Sequence, residues 1–254
     1  MKHGIDTFII PEGNVSQANL IPDIKILAFN NVRALYEAFD SDTEPVPQQT
    51  IQTMSDSDAE STFDIVLDDV IGQMQAKRAL VIAASGHHNI MLNGLPGVGK
   101  SMLAKALPSI LPPLTIEEKL EVTHLHSLAT KNFSQIIETR PFRSPHHSSS
   151  HVAIVGGGQN PRPGEISLAH HGVLLFDEIP EFQRQVIESL RQPMEDRHIT
   201  VSRAKDTLSY PAHFILVATS NPCPCGFFGS NKECSCSPVQ ITNYQRRLSG
   251  PILD

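Results

Sequence analysis

The run Gly94-Leu95-Pro96-Gly97-Val98-Gly99-Lys100-Ser101 constrains this chain more than any other feature. It fits G-x-x-x-x-G-K-[ST] at every fixed position. Before it lies the apolar run Asn89-Ile90-Met91-Leu92, which reads as a strand. After it, Ser101 to Ser109 reads as a helix, stopped by prolines 108, 112 and 113. Glycines let the backbone turn tightly and aim its N–H groups inward at a polyanion. The helix N-terminus adds partial positive charge. Lys100 is then in reach of the β- and γ-phosphates, and the Ser101 hydroxyl of a Mg2+ ion. The loop predicts ATP and Mg2+ as ligands.

Two further strand ends fit the same crevice. Val173-Leu174-Leu175-Phe176-Asp177-Glu178 is four apolar residues followed by two carboxylates, the pattern of a buried parallel strand opening on a ligand site. Asp177 there suits the Mg2+ shell, and Glu178 suits the orientation and polarisation of an attacking water. A third strand, His213 to Thr219, runs on into Ser220-Asn221. Asn221 is either a γ-phosphate and water ligand or an ordinary turn residue. Helices are predicted over Ala76–Ser85, Thr115–Ser127 (Thr115 and Glu118 forming a capping box) and Phe182–Glu195. Strands alternating with helices predict an α/β fold with a mostly parallel sheet.

The chain has 254 residues, 40% apolar and 19% charged, enough for a sizeable core. No apolar run approaches the ~18–20 residues of a membrane span, and no signal-peptide pattern opens the sequence, so a cytoplasmic address is expected. The net charge of −7 sits in the first quarter: residues 1–62 carry ten acids and three bases, whereas the remainder is balanced. Bulk attraction to nucleic acid is therefore not visible, although one face of a neutral domain can still be basic. Residues 1–39 hold short apolar runs and one helix, Asn31–Phe39, too little for a comfortable independent core. Residues 40–62 carry six acids, no Lys or Arg and little apolar content, which reads as a solvated acidic linker. The globular texture begins at Phe63.

All four cysteines fall within a short stretch, as Cys223-Pro-Cys225 and Cys234-Ser-Cys236. Four thiolates so spaced suit a tetrahedral structural Zn2+; the alternatives are free thiols or an oxidation-sensitive pair. The twelve histidines include the adjacent pairs 87/88, 146/147 and 170/171. Neighbours on a regular element do not share a face, so these read as loop or surface residues. Arg197 to Tyr210 reads as a hairpin within a stretch, 140–205, richer in cations. By itself that stretch is a solvated basic face.

Phosphate loop, Asp-Glu strand and Asn-ended strand, in this order, resemble the core of an AAA+ ATPase. Arg140-Pro-Phe-Arg-Ser-Pro-His-His147, Gly156-Gly-Gly158, Pro161-Arg-Pro-Gly-Glu-Ile-Ser-Leu-Ala169, Leu190-Arg-Gln-Pro-Met-Glu195 and Asn221-Pro-Cys-Pro-Cys-Gly226 narrow the resemblance to the magnesium-chelatase-related ATPases of the ComM/YifB group. It covers residues 63–254. Residues 1–39 resemble the end of the Lon-protease-like domain that precedes the ATPase there. The resemblance implies a three-layer αβα core and an ATP-driven, hexameric ring moving on DNA in natural transformation. It assigns Lys100 and Ser101 to phosphates and Mg2+, Asp177 to Mg2+, Glu178 to water, Asn221 to sensing the γ-phosphate, and Val70-Ile71-Gly72 to adenine. It aims the 197–210 hairpin and the loop from Arg143 to His151 at the ring pore, so that Arg143, His146, His147 and Arg203 become the candidate DNA contacts. The sequence ends at Gly250-Pro-Ile-Leu-Asp254, where the family motif continues with an arginine and a helical lid. A fragment or shortened form that binds ATP and hydrolyses it slowly is therefore expected, with Arg246 and Arg247 as remaining trans-acting cations. The rival expectations are a metal-chelatase motor and a non-catalytic nucleotide-binding module.

Overall fold

The structure is a computed structural model describing residues 5–21, 23–40, 63–130, 133, 135–158, 161–202 and 207–248. Of the expected acidic linker, Asp40 closes a helix and residues 41–62 lie outside the described residues, as do Arg203, Lys205 and the Gly250–Asp254 end. The N-terminal stretch holds β1 (Thr7–Pro11), α1 (Val15–Ala18), β2 (Lys25–Phe29) and α2 (Val32–Asp40). β1 and β2 pair in parallel. Leu20, Ile26 and Leu27 are buried there, while Phe8, Ile9, Val32, Tyr36 and Phe39 are exposed. So small a unit buries few of its apolar side chains.

From residue 63 the chain forms α3 (Met74–Gly86), β3 (Ile90–Asn93), α4 (Lys100–Ala106), α5 (Ile116–Ala129), β4 (Phe142–Arg143), α6 (His151–Val155), β5 (Gly156–Gly157), β6 (Arg162–Pro163) and α7 (Glu165–Leu168). Then come β7 (Val173–Phe176), α8 (Arg184–Ser189), α9 (Arg191–Asp196), β8 (His198–Ser202), β9 (Thr207–Pro211), β10 (Ile215–Ser220) and α10 (Pro238–Gln245). The central sheet has the order β3-β10-β7-β4, and every pairing in it is parallel.

Alternation along β7 and β10 produces the layers. Val173, Leu175, Ile215 and Val217 face one way, onto Leu80 of α3, Leu103 and Ala104 of α4 and Leu107. Leu174, Phe176, Leu216 and Ala218 face the other way, onto α5–α9 and the β8–β9 hairpin. Both faces being covered, every residue of β7 and β10 is buried, which explains their continuous apolar runs. Each fully buried Leu, Ile or Phe contributes about 1.5–3 kcal/mol. The expected α/β fold with a parallel sheet is the observed one.

Local chemistry sets the element ends. Thr115 and Glu118 form the predicted capping box on α5, with reciprocal bonds of 3.2 and 2.9 Å. The single helix expected over Phe182–Glu195 is instead a pair, α8 and α9, meeting at Leu190. Pro193 has no amide for the Ser189 carbonyl, and its ring crowds that oxygen, so the helix cannot run through. The predicted hairpin forms as antiparallel β8 and β9. Among the described residues no helix is long and apolar enough to cross a membrane.

Candidate functional site

Because β3, β10 and β7 are parallel neighbours, the segments that follow them leave from one edge of the sheet. Ser220 stands opposite Asn93, and Ala218 opposite Phe176. This register sets the phosphate loop beside Asn221, and Asp177 beside Thr219. The Gly94 amide donates to the Ser220 carbonyl at 3.3 Å, tying loop to strand. Gly99 caps α4 with φ +91°, a conformation that side chains other than glycine adopt at a cost of about 1–2 kcal/mol. Lys100 opens the helix, and its side chain folds back over the loop.

The polar side chains form a continuous relay. Lys100 Nζ donates to the carbonyls of Gly94 (2.7 Å) and Leu95 (2.9 Å) and to Asn221 Oδ1 (3.0 Å). Asn221 Nδ2 in turn donates to Glu178 Oε1 at 3.1 Å. Ser101 Oγ donates to Asp177, lying 2.9 Å from Oδ2 and 3.1 Å from Oδ1. Desolvation lowers the Lys100 pKa, opposed by the nearby charges of Asp177 and Glu178. The structure brings together Lys100, Ser101, Asp177, Glu178 and Asn221. A hydroxyl and a carboxylate in contact, both hard oxygen donors, fit a Mg2+ ion.

Two contributors escape the sequence pattern. Thr219 is fully buried; its hydroxyl donates to Asp177 Oδ1 (2.6 Å) and accepts the Glu178 amide (2.8 Å). Glu178 has φ +54°, a left-handed backbone that aims its carboxylate at Asn221, and the Thr219 bond pins that conformation. Gln73, at φ +50° before α3, donates from Nε2 to the Val98 carbonyl at 3.2 Å and supports the loop from outside. A polar residue late in a buried strand is the signal that marks Thr219, once the strand register is known.

Other candidates are placed differently. Val70 is buried in the core with Leu80 and Leu103, whereas Ile71 exposes 95% of its surface. Arg143 is held by Glu165 through Nε (2.5 Å) and a terminal nitrogen (2.6 Å), so it is no free cation. His146 and His147 are exposed, with ring centroids 4.1 Å apart. Arg247 donates to the Pro180 carbonyl at 2.8 Å. Cys223, Cys225, Cys234 and Cys236 do converge, their sulfurs all within 4.8 Å of one another.

The histidine pair 170/171 departs from the expected surface position. It precedes β7, at the opposite end of the sheet, and His170 is only 4% exposed. His171 has φ +56°, and this left-handed turn brings both rings onto Glu121, at 3.1 and 2.7 Å. His213 donates its amide to His170 Nδ1 at 3.0 Å, so His170 carries its proton on Nε2, toward Glu121. His87 stacks on His213 with centroids 4.1 Å apart.

Comparison with known proteins identifies the family and the fold. The family model described as magnesium chelatase, subunit ChlI, matches residues 66–254. The chain is 51% identical over 197 residues to the uncharacterized protein YifB of Salmonella typhimurium, covering 77% of this chain and 39% of that protein. It is 43% identical over 257 residues to the competence protein ComM of Haemophilus influenzae, covering 97% of this chain and 48% of that protein. The chain thus spans half or less of the length of these relatives. A solved magnesium chelatase complex of subunits BchI and BchD matches with a TM-score of 0.52 at 20% identity, covering 74% of this chain and 68% of that one. At that identity the likeness concerns the fold.

Proposed function

The chain belongs to the magnesium chelatase subunit ChlI family, alongside ComM and YifB, and from that premise we propose that it is the Mg2+-ATP-binding and -hydrolysing AAA+ module of a ring that moves on DNA. The observation that carries the reading is the relay Lys100–Asn221–Glu178 beside the Ser101–Asp177 contact, which joins three strand ends in one polar site. In this reading Lys100 exchanges the loop carbonyls for β- and γ-phosphate oxygens, which are stronger acceptors because they are charged. Residues 94–101 supply backbone amides, and the exposed Ile71 offers an apolar surface to adenine. Ser101 and Asp177 would hold Mg2+, which when bound offsets charge on the β- and γ-phosphates. Glu178 orients and polarises the attacking water, and Asn221 reports the γ-phosphate to it through their shared hydrogen bond.

DNA as the partner is supported by the likeness to ComM, a competence protein. His146, His147 and the Arg203 hairpin are the proposed contacts, with Arg143 acting through its Glu165 pair rather than on DNA directly. A ring of several copies, in the manner of its family, supplies the pore they face. Residues 63–254 are proposed as the AAA+ core, 40–62 as an acidic linker and 1–39 as part of a Lon-protease-like domain, in a protein of the cytoplasm.

The test is nucleotide titration with and without single-stranded DNA. Lys100→Ala is expected to abolish ATP binding, and Glu178→Gln to retain ATP while blocking turnover. DNA affinity is expected to fall steeply with salt, with Arg203→Ala reducing the slope of log K against log salt by about 1. Calorimetry silent at millimolar Mg2+-ATP ends the reading. Turnover indifferent to DNA points instead to a chelatase-type motor, and binding without turnover to a regulatory module.

A further inference from the structure

We propose that Cys223, Cys225, Cys234 and Cys236 form a structural zinc site that seats the Asn221-bearing connection against the phosphate loop. The connection runs over 221–237, between β10 and α10, with no helix or strand of its own. Irregular connections longer than ~12–15 residues are uncommon, and ordered ones usually serve a function. Of the two phenylalanines in this one, Phe227 is half-buried and Phe228 is 49% exposed. What converges inside it is sulfur. Cys223 is fully buried, and its Sγ lies 3.4 Å from Cys225 Sγ and 3.7 Å from Cys234 Sγ; Cys225 and Cys234 are 3.5 Å apart. Zn–S bonds of about 2.3 Å in a tetrahedron put the sulfurs ~3.8 Å apart, close to this spacing. Bonded disulfide sulfurs sit at about 2.05 Å.

The backbone around the cluster is arranged for thiolates. The Phe228 amide donates to Cys223 Sγ at 3.3 Å, and the Cys225 amide to Cys236 Sγ at 3.4 Å. Such N–H donors offset the negative charge that four metal-bound thiolates carry. Binding ionises four S–H groups, forms four Zn–S bonds and releases the protons to solvent, with no redox change. Four protein ligands leave no open position, so the metal is structural.

The cluster also reaches the nucleotide site. Cys223 is two residues beyond Asn221, and Cys236 directly precedes Ser237, the N-cap of α10. Gly226, at φ +84°, lies so close to Pro96 of the phosphate loop that a Cβ there would overlap the proline ring. The metal thereby fixes three things relative to one another: the end of β10, the start of α10 and the backbone that Pro96 rests on.

The zinc assignment stands apart from the nucleotide reading; the coupling to the phosphate loop rests on it. Purified chain is expected to carry one zinc. Stripped under reducing conditions and loaded with Co2+, it should give thiolate-to-cobalt charge-transfer bands and tetrahedral d–d bands. Cys234→Ser and Cys236→Ser, each removing one of the four proposed ligands, should lower zinc affinity by about 100-fold or more. Lys100→Ala, which removes nucleotide binding, should retain the full zinc content. Chelation should weaken ATP binding at least ~5-fold, restored by Zn2+ and not by extra Mg2+. Reduced protein that binds neither Zn2+ nor tetrahedral Co2+, or intramolecular disulfides in the protein as isolated, overturns the site. Zinc present but ATP affinity unchanged on its removal overturns the coupling.

Discussion

Thr219 illustrates how much one buried hydroxyl decides. It gives a proton to Asp177 and receives one from the Glu178 amide, so the two carboxylates proposed for metal and water are set by one side chain. Hydrogen bonds to charged groups are worth about 1.5–3 kcal/mol, and an orphaned buried amide costs about 1–3 kcal/mol. Thr219→Val, similar in shape, is expected to slow ATP turnover by roughly 10–100-fold while ATP affinity changes far less. Thr219→Ser, which keeps the hydroxyl, should recover most of the rate. Steady-state kinetics beside nucleotide titration checks this; equal loss in Val and Ser variants would contradict it. Arg143 belongs at this scale too. Its fork engages both oxygens of Glu165, so Arg143→Ala should lower the unfolding free energy by about 1 kcal/mol in urea titration before any effect on DNA is measured.

Elements form where the sequence states its own boundaries. The α5 capping box is complete in the sequence and complete in space, and Thr115→Ala should lower stability by about 1 kcal/mol in urea titration. β7 and β10 were legible because strands buried on both faces need unbroken apolar runs. The α8–α9 break was harder to read. Periodicity carried the predicted helix through Leu190, and the missing amide of Pro193 outweighed it. The left-handed backbone at Glu178 and His171 was invisible too, because neither residue type requests φ > 0. Tertiary bonds, to Thr219 in one case and among Glu121, His170 and His213 in the other, stabilise those turns.

For the molecule as a whole, one edge of the sheet carries the polar relay and the opposite end carries a histidine cluster. Burial, reinforced by His87, Arg197 and the other rings, pushes the His213 pKa down to about 4 from 6.5. His87 and His170 are lowered too, desolvation being the leading cause. Between pH ~6.5 and ~4 the unfolded chain therefore binds more protons than the folded one, and stability falls on acidification through that window. Thermal melts at intervals from pH 7.5 to 4.5 should show this loss, and His213→Gln should flatten it. A Tm independent of pH in that interval would refute the assignment. The sequence alone determined the phosphate loop, the acidic strand, the parallel α/β architecture and the spacing of the four cysteines, because each is a local pattern with a local physical cause. Only the tertiary structure decided that Thr219 governs both carboxylates, that Val70 turns into the core while Ile71 faces out, that Arg143 is spent on Glu165, and that Gly226 rests on Pro96. Each of those depends on which residues lie opposite one another across strands and loops, a property of the register and packing that no single segment contains.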